Sequence, residues 1–130
     1  MTKRYQKGSK APDFDFSTPW GEKKNFYADG SGRNKVIFFL RYYGCRVTQL
    51  EFRDIAAESA KFSARGAKLY VVLQSSPETI QEALKRDDID FELICDPEGK
   101  LYRLFDIGYA PPGTKSANAP DRTRRAKIVP

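Results

Sequence analysis

A chain of 130 residues, of which 40% are hydrophobic and 31% charged, is long enough for one globular domain with a hydrophobic core. Its apolar runs are shorter than the ~18 residues of a membrane span, and no apolar stretch follows the basic N-terminus, so we predict a cytoplasmic protein without membrane contact. With two cysteines and no histidine, a disulfide framework, a histidine-containing metal site and histidine acid–base catalysis are excluded, and we expect no cofactor and no metal.

The formal net charge is +6, but the positive charge lies at the two ends of the chain. Residues 1–10 carry four basic residues and no acidic one, residues 109–130 carry five basic residues and one acidic one, and the body between them is mildly acidic. Neither end interleaves aromatic with basic residues as nucleic-acid-binding modules do. We therefore predict a basic flexible N-terminus over 1–10, one domain over 11–108, an irregular basic tail over 109–130, and no nucleic-acid partner.

The predicted domain alternates strands and helices. Residues 13–16 and 24–26 are short extended segments separated by turn residues, which favours a hairpin. Apolar runs predict buried strands, and periodic segments after them predict helices: strands at 35–43, 68–75 and 91–95, helices at 45–65, 76–86 and 101–105. In the first helix an inward stripe is predicted at Thr48, Phe52, Ile55, Ser59 and Phe62. This order predicts an α/β fold with a mostly parallel central sheet and flanking helices.

Cys45 is the leading candidate for a chemical role. It begins the first predicted helix, directly after a strand, and the carboxyl ends of strands are where α/β sheets collect their sites. The free amides of a helix N-terminus and the adjacent cation Arg46 both favour a reactive thiolate. The alternative is a structural cysteine that packs or caps the helix start.

Three segments resemble the alkyl hydroperoxide reductase/thiol-specific antioxidant (AhpC/TSA) family of peroxiredoxin-like redoxins: Ala-Pro-Asp-Phe at 11–14, residues 38–51, and residues 95–105. The resemblance implies a thioredoxin-like fold with an N-terminal β-hairpin. The family continues past the equivalent of residue 108 into a β-hairpin and a last helix. Because the tail shows neither pattern, we expect that hairpin to be missing or divergent, with residues 128–130 as the place where it would start.

The motif at the helix start is Cys45-x-x-Thr48-x-x-Glu51, whereas the family carries Thr-x-x-Cys-x-x-Glu or Cys-x-x-Cys-x-x-Glu. The resemblance implies an oxidoreductase with antioxidant activity, either peroxide reduction or thiol–disulfide exchange, in which Cys45 reacts. Arg46 is expected to assist as the adjacent cation, and Thr48 is expected either to hydrogen-bond the thiolate or to pack in the core. Without a second thiol one turn away, an external thiol (glutathione or a thioredoxin-type protein) would resolve Cys45. The alternative is a non-catalytic thioredoxin-fold binding or assembly module that forms a homodimer across an open sheet edge.

Cys95 is the other thiol, at the end of the last predicted strand. In the family's sheet order that strand lies two places from the strand before Cys45, so the two cysteines would be roughly 10 Å apart. A disulfide needs Cα atoms closer than about 7 Å. Cys95 is therefore predicted either as a packed residue or, if the edge strand moves, as a second redox thiol.

Overall fold

The computed structural model describes residues 6–107 and 126–129, which form two sheets and three α-helices. The strands are β1 (Asp15–Ser17), β2 (Lys23–Asn25), β3 (Asn34–Phe39), β4 (Ala67–Leu73), β5 (Glu92–Cys95) and β6 (Ala126–Val129); the helices are α1 (Arg46–Ala64), α2 (Pro77–Ala83) and α3 (Lys100–Leu104). Strands β1 and β2 pair as the predicted hairpin. The main sheet has the order β5-β4-β3-β6, with β3, β4 and β5 parallel and β6 antiparallel to β3.

The two faces of the main sheet carry two separate hydrophobic clusters, which explains the continuous apolar runs of β3 and β4. Alternate strand residues, among them Val36, Leu69 and Val71, pack on one face with Phe52 and Ile55 of α1. The residues between them pack on the other face, under the β1–β2 hairpin and α3; they include Ile37, Phe39, Tyr70 and Val72. The predicted parallel core is confirmed.

Helix α1 is the long predicted helix, and its inward stripe is confirmed. Thr48, Phe52, Ile55 and Ser59 are buried, and Phe62 packs against the same cluster while partly exposed. The helix ends where Gly66 adopts a φ of +74°, a left-handed conformation that glycine adopts without strain.

Helix α2 is shorter than predicted. It ends at Ala83, because Leu84 has extended backbone angles, and residues 86–88 form a separate turn of 3-10 helix. The Asp88 carboxylate accepts a hydrogen bond of 2.8 Å from the backbone amide of Lys85 and so caps this turn. The apolar spacing favours a longer α-helix. A hydrogen bond that a backbone amide donates to a nearby side chain competes with that helix, because it satisfies the amide without an intrahelical partner.

Within the tail predicted to be irregular over 109–130, residues 126–129 form β6. This strand pairs with residues 35–38 of β3. The edge of β3 presents backbone amides and carbonyls that need partners, and pairing with it organises a segment too short to show its own periodicity. Residues 1–5, 108–125 and 130 lie outside the described residues, and with them most of the predicted tail.

Across the described residues, no helix combines the length and apolarity needed to cross a membrane.

A network of ion pairs ties the β2 region to the amino-terminal ends of β4 and β5. The buried carboxylate of Glu92 binds the ammonium groups of Lys24 and Lys68. The Asp29 carboxylate lies 2.7 Å from Lys68 Nζ and accepts a 2.6 Å hydrogen bond from the Tyr70 hydroxyl. Burial opposes ionisation of Asp29, but the bonds from Lys68 and Tyr70 and the charges of Lys68 and Lys24 outweigh it and hold the Asp29 pKa below its usual value.

We expect Asp29→Asn to lower the free energy of unfolding at pH 7 by about 1–2 kcal/mol, because the Lys68 ammonium loses the nearer of its two carboxylate partners and keeps only Glu92. A carboxyl with a lowered folded-state pKa contributes stability above its unfolded pKa of about 4 and loses it as the pH falls through the folded value. The difference between wild type and variant should therefore shrink below about pH 4. Urea unfolding at pH 7 and pH 3.5 measures it, with the exposed Asp87→Asn as the matched control; an equal loss in the two variants contradicts the assignment.

Candidate active site

Cys45 is the N-cap residue of α1, at the carboxyl end of the main sheet, with extended backbone angles (φ −77°, ψ 129°). Hydrogen bonds from backbone amides hold the loop before Cys45. The Tyr43 amide donates to Ser75 Oγ at 2.7 Å, and the Cys45 amide donates to the Tyr42 carbonyl at 3.2 Å. Gln49 Nε2 donates to the Tyr43 carbonyl at 2.9 Å. These contacts position the Cys45 side chain at the first turn of the helix, half-buried and free of any disulfide.

The surroundings of Cys45 favour its thiolate. The backbone amide of Thr48 is the largest influence and lowers the Cys45 pKa; partial burial opposes this, and the Val47 amide, the Thr48 hydroxyl and the charge of Arg41 lower it further. Backbone N–H groups at a helix N-terminus have no intrahelical acceptor and are free to donate to an anion. The net effect is a pKa below that of an ordinary cysteine, which increases the nucleophilic form at neutral pH.

Thr48, three residues after Cys45 on the first turns of α1, is fully buried. Within the described residues its Oγ1 has no hydrogen-bond partner of ordinary geometry, and its hydroxyl affects the Cys45 pKa less than its backbone amide does. A buried hydroxyl without an acceptor is costly. Ionisation of Cys45 would supply that acceptor, so the predicted assisting role of Thr48 is compatible with its position.

Two arginines flank the site. Arg46 is exposed on the first turn of α1 and is absent from the groups that shift the Cys45 pKa, so its assisting role stays a prediction. Arg41, which is half-buried, is the cation that lowers this pKa. In the sequence, Arg41 interrupts the end of an apolar strand close to Cys45, a pattern that fits either support of a thiolate or exit of the chain to solvent.

Cys95 lies at the end of β5, which is separated from β3 by β4, as predicted. At about 4.8 Å per strand this separation is roughly 10 Å, too far for a direct disulfide with Cys45. Burial, with a contribution from Glu78, raises the pKa of the Cys95 thiol to about 12. The two thiols therefore have opposite character: Cys45 is activated and Cys95 is held protonated.

Among the described residues, no three Cys, Asp or Glu side chains come close enough together to hold a metal ion.

A parallel β3–β4–β5 core, an antiparallel β6, an N-terminal hairpin and a cysteine that caps α1 define a thioredoxin-like fold. Solved structures agree with this fold. The chain spans only 55% of a yeast peroxiredoxin and 58% of a Xanthomonas campestris peroxiredoxin to which it is similar. The yeast mitochondrial 1-Cys peroxiredoxin superposes with a TM-score of 0.67 over 81% of this chain at 23% identity. A thiol:disulfide interchange protein of Chlorobium tepidum gives 0.62 over 84% of this chain and 73% of its own, at 19% identity. Peroxiredoxin Q of Xanthomonas campestris gives 0.63 over 72% of this chain, at 25% identity.

A sequence model of the AhpC/TSA family matches residues 7–124, and the chain belongs to this family. Among curated proteins, none matches the sequence significantly. The match covers both the Cys45 loop and the segment around Cys95, so the resemblance drawn from three short motifs is confirmed.

Proposed function

We propose that this protein is a thiol oxidoreductase in which the Cys45 thiolate attacks a disulfide or a peroxide and is then released by an external thiol. The observation that carries the proposal is the position of the Cys45 sulfur at the start of α1, where the amides of Thr48 and Val47 lower its pKa. Membership in the AhpC/TSA family supports the same chemistry.

In disulfide exchange, the Cys45 thiolate attacks one sulfur of the substrate disulfide. A new bond forms between Cys45 Sγ and that sulfur, the substrate S–S bond breaks, and the other sulfur leaves as a thiolate. The position one helical turn on is Thr48, whose hydroxyl does not displace the bound sulfur. A second thiol, from glutathione or a thioredoxin-type protein, attacks the mixed disulfide and returns Cys45 as a thiolate.

Peroxide reduction is the second candidate, favoured by the family and by the likeness to peroxiredoxins. Here the thiolate attacks a peroxide oxygen, the O–O bond breaks, Cys45 becomes a sulfenic acid, and the leaving alkoxide takes a proton to give an alcohol. Two external thiols then return Cys45 to the thiol, with release of water and formation of their disulfide. The yeast 1-Cys peroxiredoxin is described as resolved via glutathione and thioredoxin systems, which supports an external reductant here.

The position of the cysteine in the motif favours thiol–disulfide exchange over peroxide reduction. Peroxide-reducing members carry the attacking cysteine at the position of Thr48, whereas the cysteine of this chain stands at the first position of the dithiol motif, three residues earlier. Cys45 therefore caps the helix instead of lying inside its first turn. Cytoplasmic location and a homodimer stay predictions.

Alkylation tests the activated state of Cys45 directly. At pH 7 we expect iodoacetamide to modify Cys45 at least about a hundredfold faster than Cys95, because the pKa of Cys95 is raised to about 12 and that of Cys45 is lowered. Peptide mass mapping over time measures both rates. Cys95→Ser should leave the Cys45 rate unchanged, and unfolding in urea should make the two thiols react alike. A Cys45 that reacts no faster than an ordinary cysteine at pH 7 contradicts the proposed function.

A further inference from the structure

Apolar side chains are exposed beside Cys45 to an extent found nowhere else in the described residues. Three large apolar side chains are strongly exposed there: Tyr42 at 54%, Val47 at 37% and Leu50 at 51%. We call these three residues the Cys45 apolar patch. All three lie within five positions of Cys45, and Val47 and Leu50, three residues apart, share one face of α1. An exposed apolar group at a reactive side chain marks a contact surface for a partner.

Gly44 helps to form this patch. A Cβ built on Gly44 would lie 2.9 Å from Cε2 and 3.2 Å from Cδ2 of Tyr42. The Tyr42 ring therefore rests against the backbone immediately before Cys45, a position that a side chain at residue 44 would obstruct. The loop thus keeps a large aromatic surface exposed beside the thiol.

Three arginines and two carboxylates lie around the patch, so positive charge is in slight excess. Arg46 lies four residues before Leu50 and Arg53 lies three residues after it. Both arginines are exposed, and this spacing places them on the same face of α1 as Leu50. Arg41 adjoins Tyr42 in the chain, and its charge lowers the Cys45 pKa. Within the described part of the chain none of these three arginines forms an ion pair, in contrast to Lys24, Lys68 and Arg86.

Acidic residues on the same helix offset this charge only in part. Asp54 is exposed four residues after Leu50, and Glu51, which is half-buried, lies four residues after Val47, so each shares a face of α1 with a patch residue. The side of α1 nearest Cys45 carries Arg46 and no carboxylate in its first turn. A negatively charged partner would therefore approach the thiol more rapidly than a positive one.

Resting on the proposed function, we propose that the Cys45 apolar patch and its arginines form the docking surface for an acidic polypeptide that presents a disulfide next to apolar side chains. Glutathione offers carboxylates but no apolar side chain to cover Tyr42 and Leu50, so it uses only half of this surface. In the docked complex the Cys45 thiolate attacks the nearer sulfur of the partner disulfide, forms the mixed disulfide, and releases the other sulfur as a thiolate.

The test compares rates of mixed-disulfide formation by the full chain with three probes. Two are synthetic disulfide peptides of equal length with leucines beside the cysteine, one bearing glutamates and the other lysines; the third is oxidised glutathione. We expect the glutamate peptide to react about tenfold or more faster than the lysine peptide at low salt, with the difference shrinking as salt screens the charges. The glutamate peptide should also react faster than oxidised glutathione.

Variants separate docking from thiol reactivity. Leu50→Ser and Arg53→Gln should each slow the glutamate peptide severalfold while leaving the rate of alkylation by iodoacetamide unchanged. The matched control is Arg65→Gln, an exposed arginine at the far end of the helix, which should change neither rate.

The failures of the two proposals are distinguishable. Equal rates for the two peptides, or oxidised glutathione reacting fastest, overturn the docking proposal while leaving a reactive Cys45. No mixed disulfide with any probe overturns the proposed function, and the docking proposal with it.

Discussion

Cys45→Ser is expected to abolish thiol-dependent turnover of both disulfides and peroxides, lowering it to the rate of the uncatalysed reaction. Serine keeps the size and the helix-capping capacity of the residue, but its hydroxyl does not ionise near neutral pH and forms no mixed disulfide. The amides of Thr48 and Val47 would remain in place without a nucleophile to stabilise. Consumption of oxidised glutathione and of a hydroperoxide, each with dithiothreitol as reductant, measures the loss.

Cys95→Ser is the matched control for this experiment and should keep most of the wild-type rate, because the Cys95 thiol lies two strands away with a pKa raised to about 12. Wild-type rates in Cys45→Ser would contradict both proposed reactions and favour the non-catalytic binding or assembly module. Loss of activity in both variants would instead assign Cys95 the role of a second redox thiol.

Thr48→Cys is expected to change how Cys45 is resolved. Residues three apart at a helix start have Cα atoms within the span of about 4.4–6.8 Å that a disulfide bridges. In the wild type, oxidised glutathione should leave a mixed disulfide that persists until another thiol arrives. In the variant, the introduced thiol would displace glutathione from Cys45 and form an intramolecular disulfide. Intact-mass spectrometry distinguishes the two products directly.

Thr48→Ser is the matched control, since it removes the methyl group but adds no thiol, and it should keep the glutathione adduct. Loss of the adduct from the wild type without added thiol would contradict the external-resolution step. Repeating the measurement in Cys95→Ser shows whether that loss depends on Cys95.

Much of the architecture is predictable because the hydrophobic pattern is unambiguous. The apolar runs around Val36 and Val71 have no solvent-exposed polar face, so they fit only a sheet that is covered on both sides. The spacing from Thr48 to Ser59 similarly defines one face of a long helix. The end of α2 and the β6 strand were not predictable in this way: the chain is extended at Leu84 and Asp88 caps a separate turn after it, and β6 depends on an edge of β3 that is distant in sequence.

The family, the parallel core and the candidacy of Cys45 as a reactive thiol could all be read from the sequence, because each depends on local residue pattern: short motifs, apolar periodicity, or a cysteine placed between a strand and a helix. The tertiary structure decided which charge reaches that thiol and which surface surrounds it. The charge of Arg41 lowers the Cys45 pKa in the folded chain, and the Tyr42 ring lies against Gly44 while more than half exposed. Electrostatic effects and exposure depend on distances in space, and local pattern does not encode them.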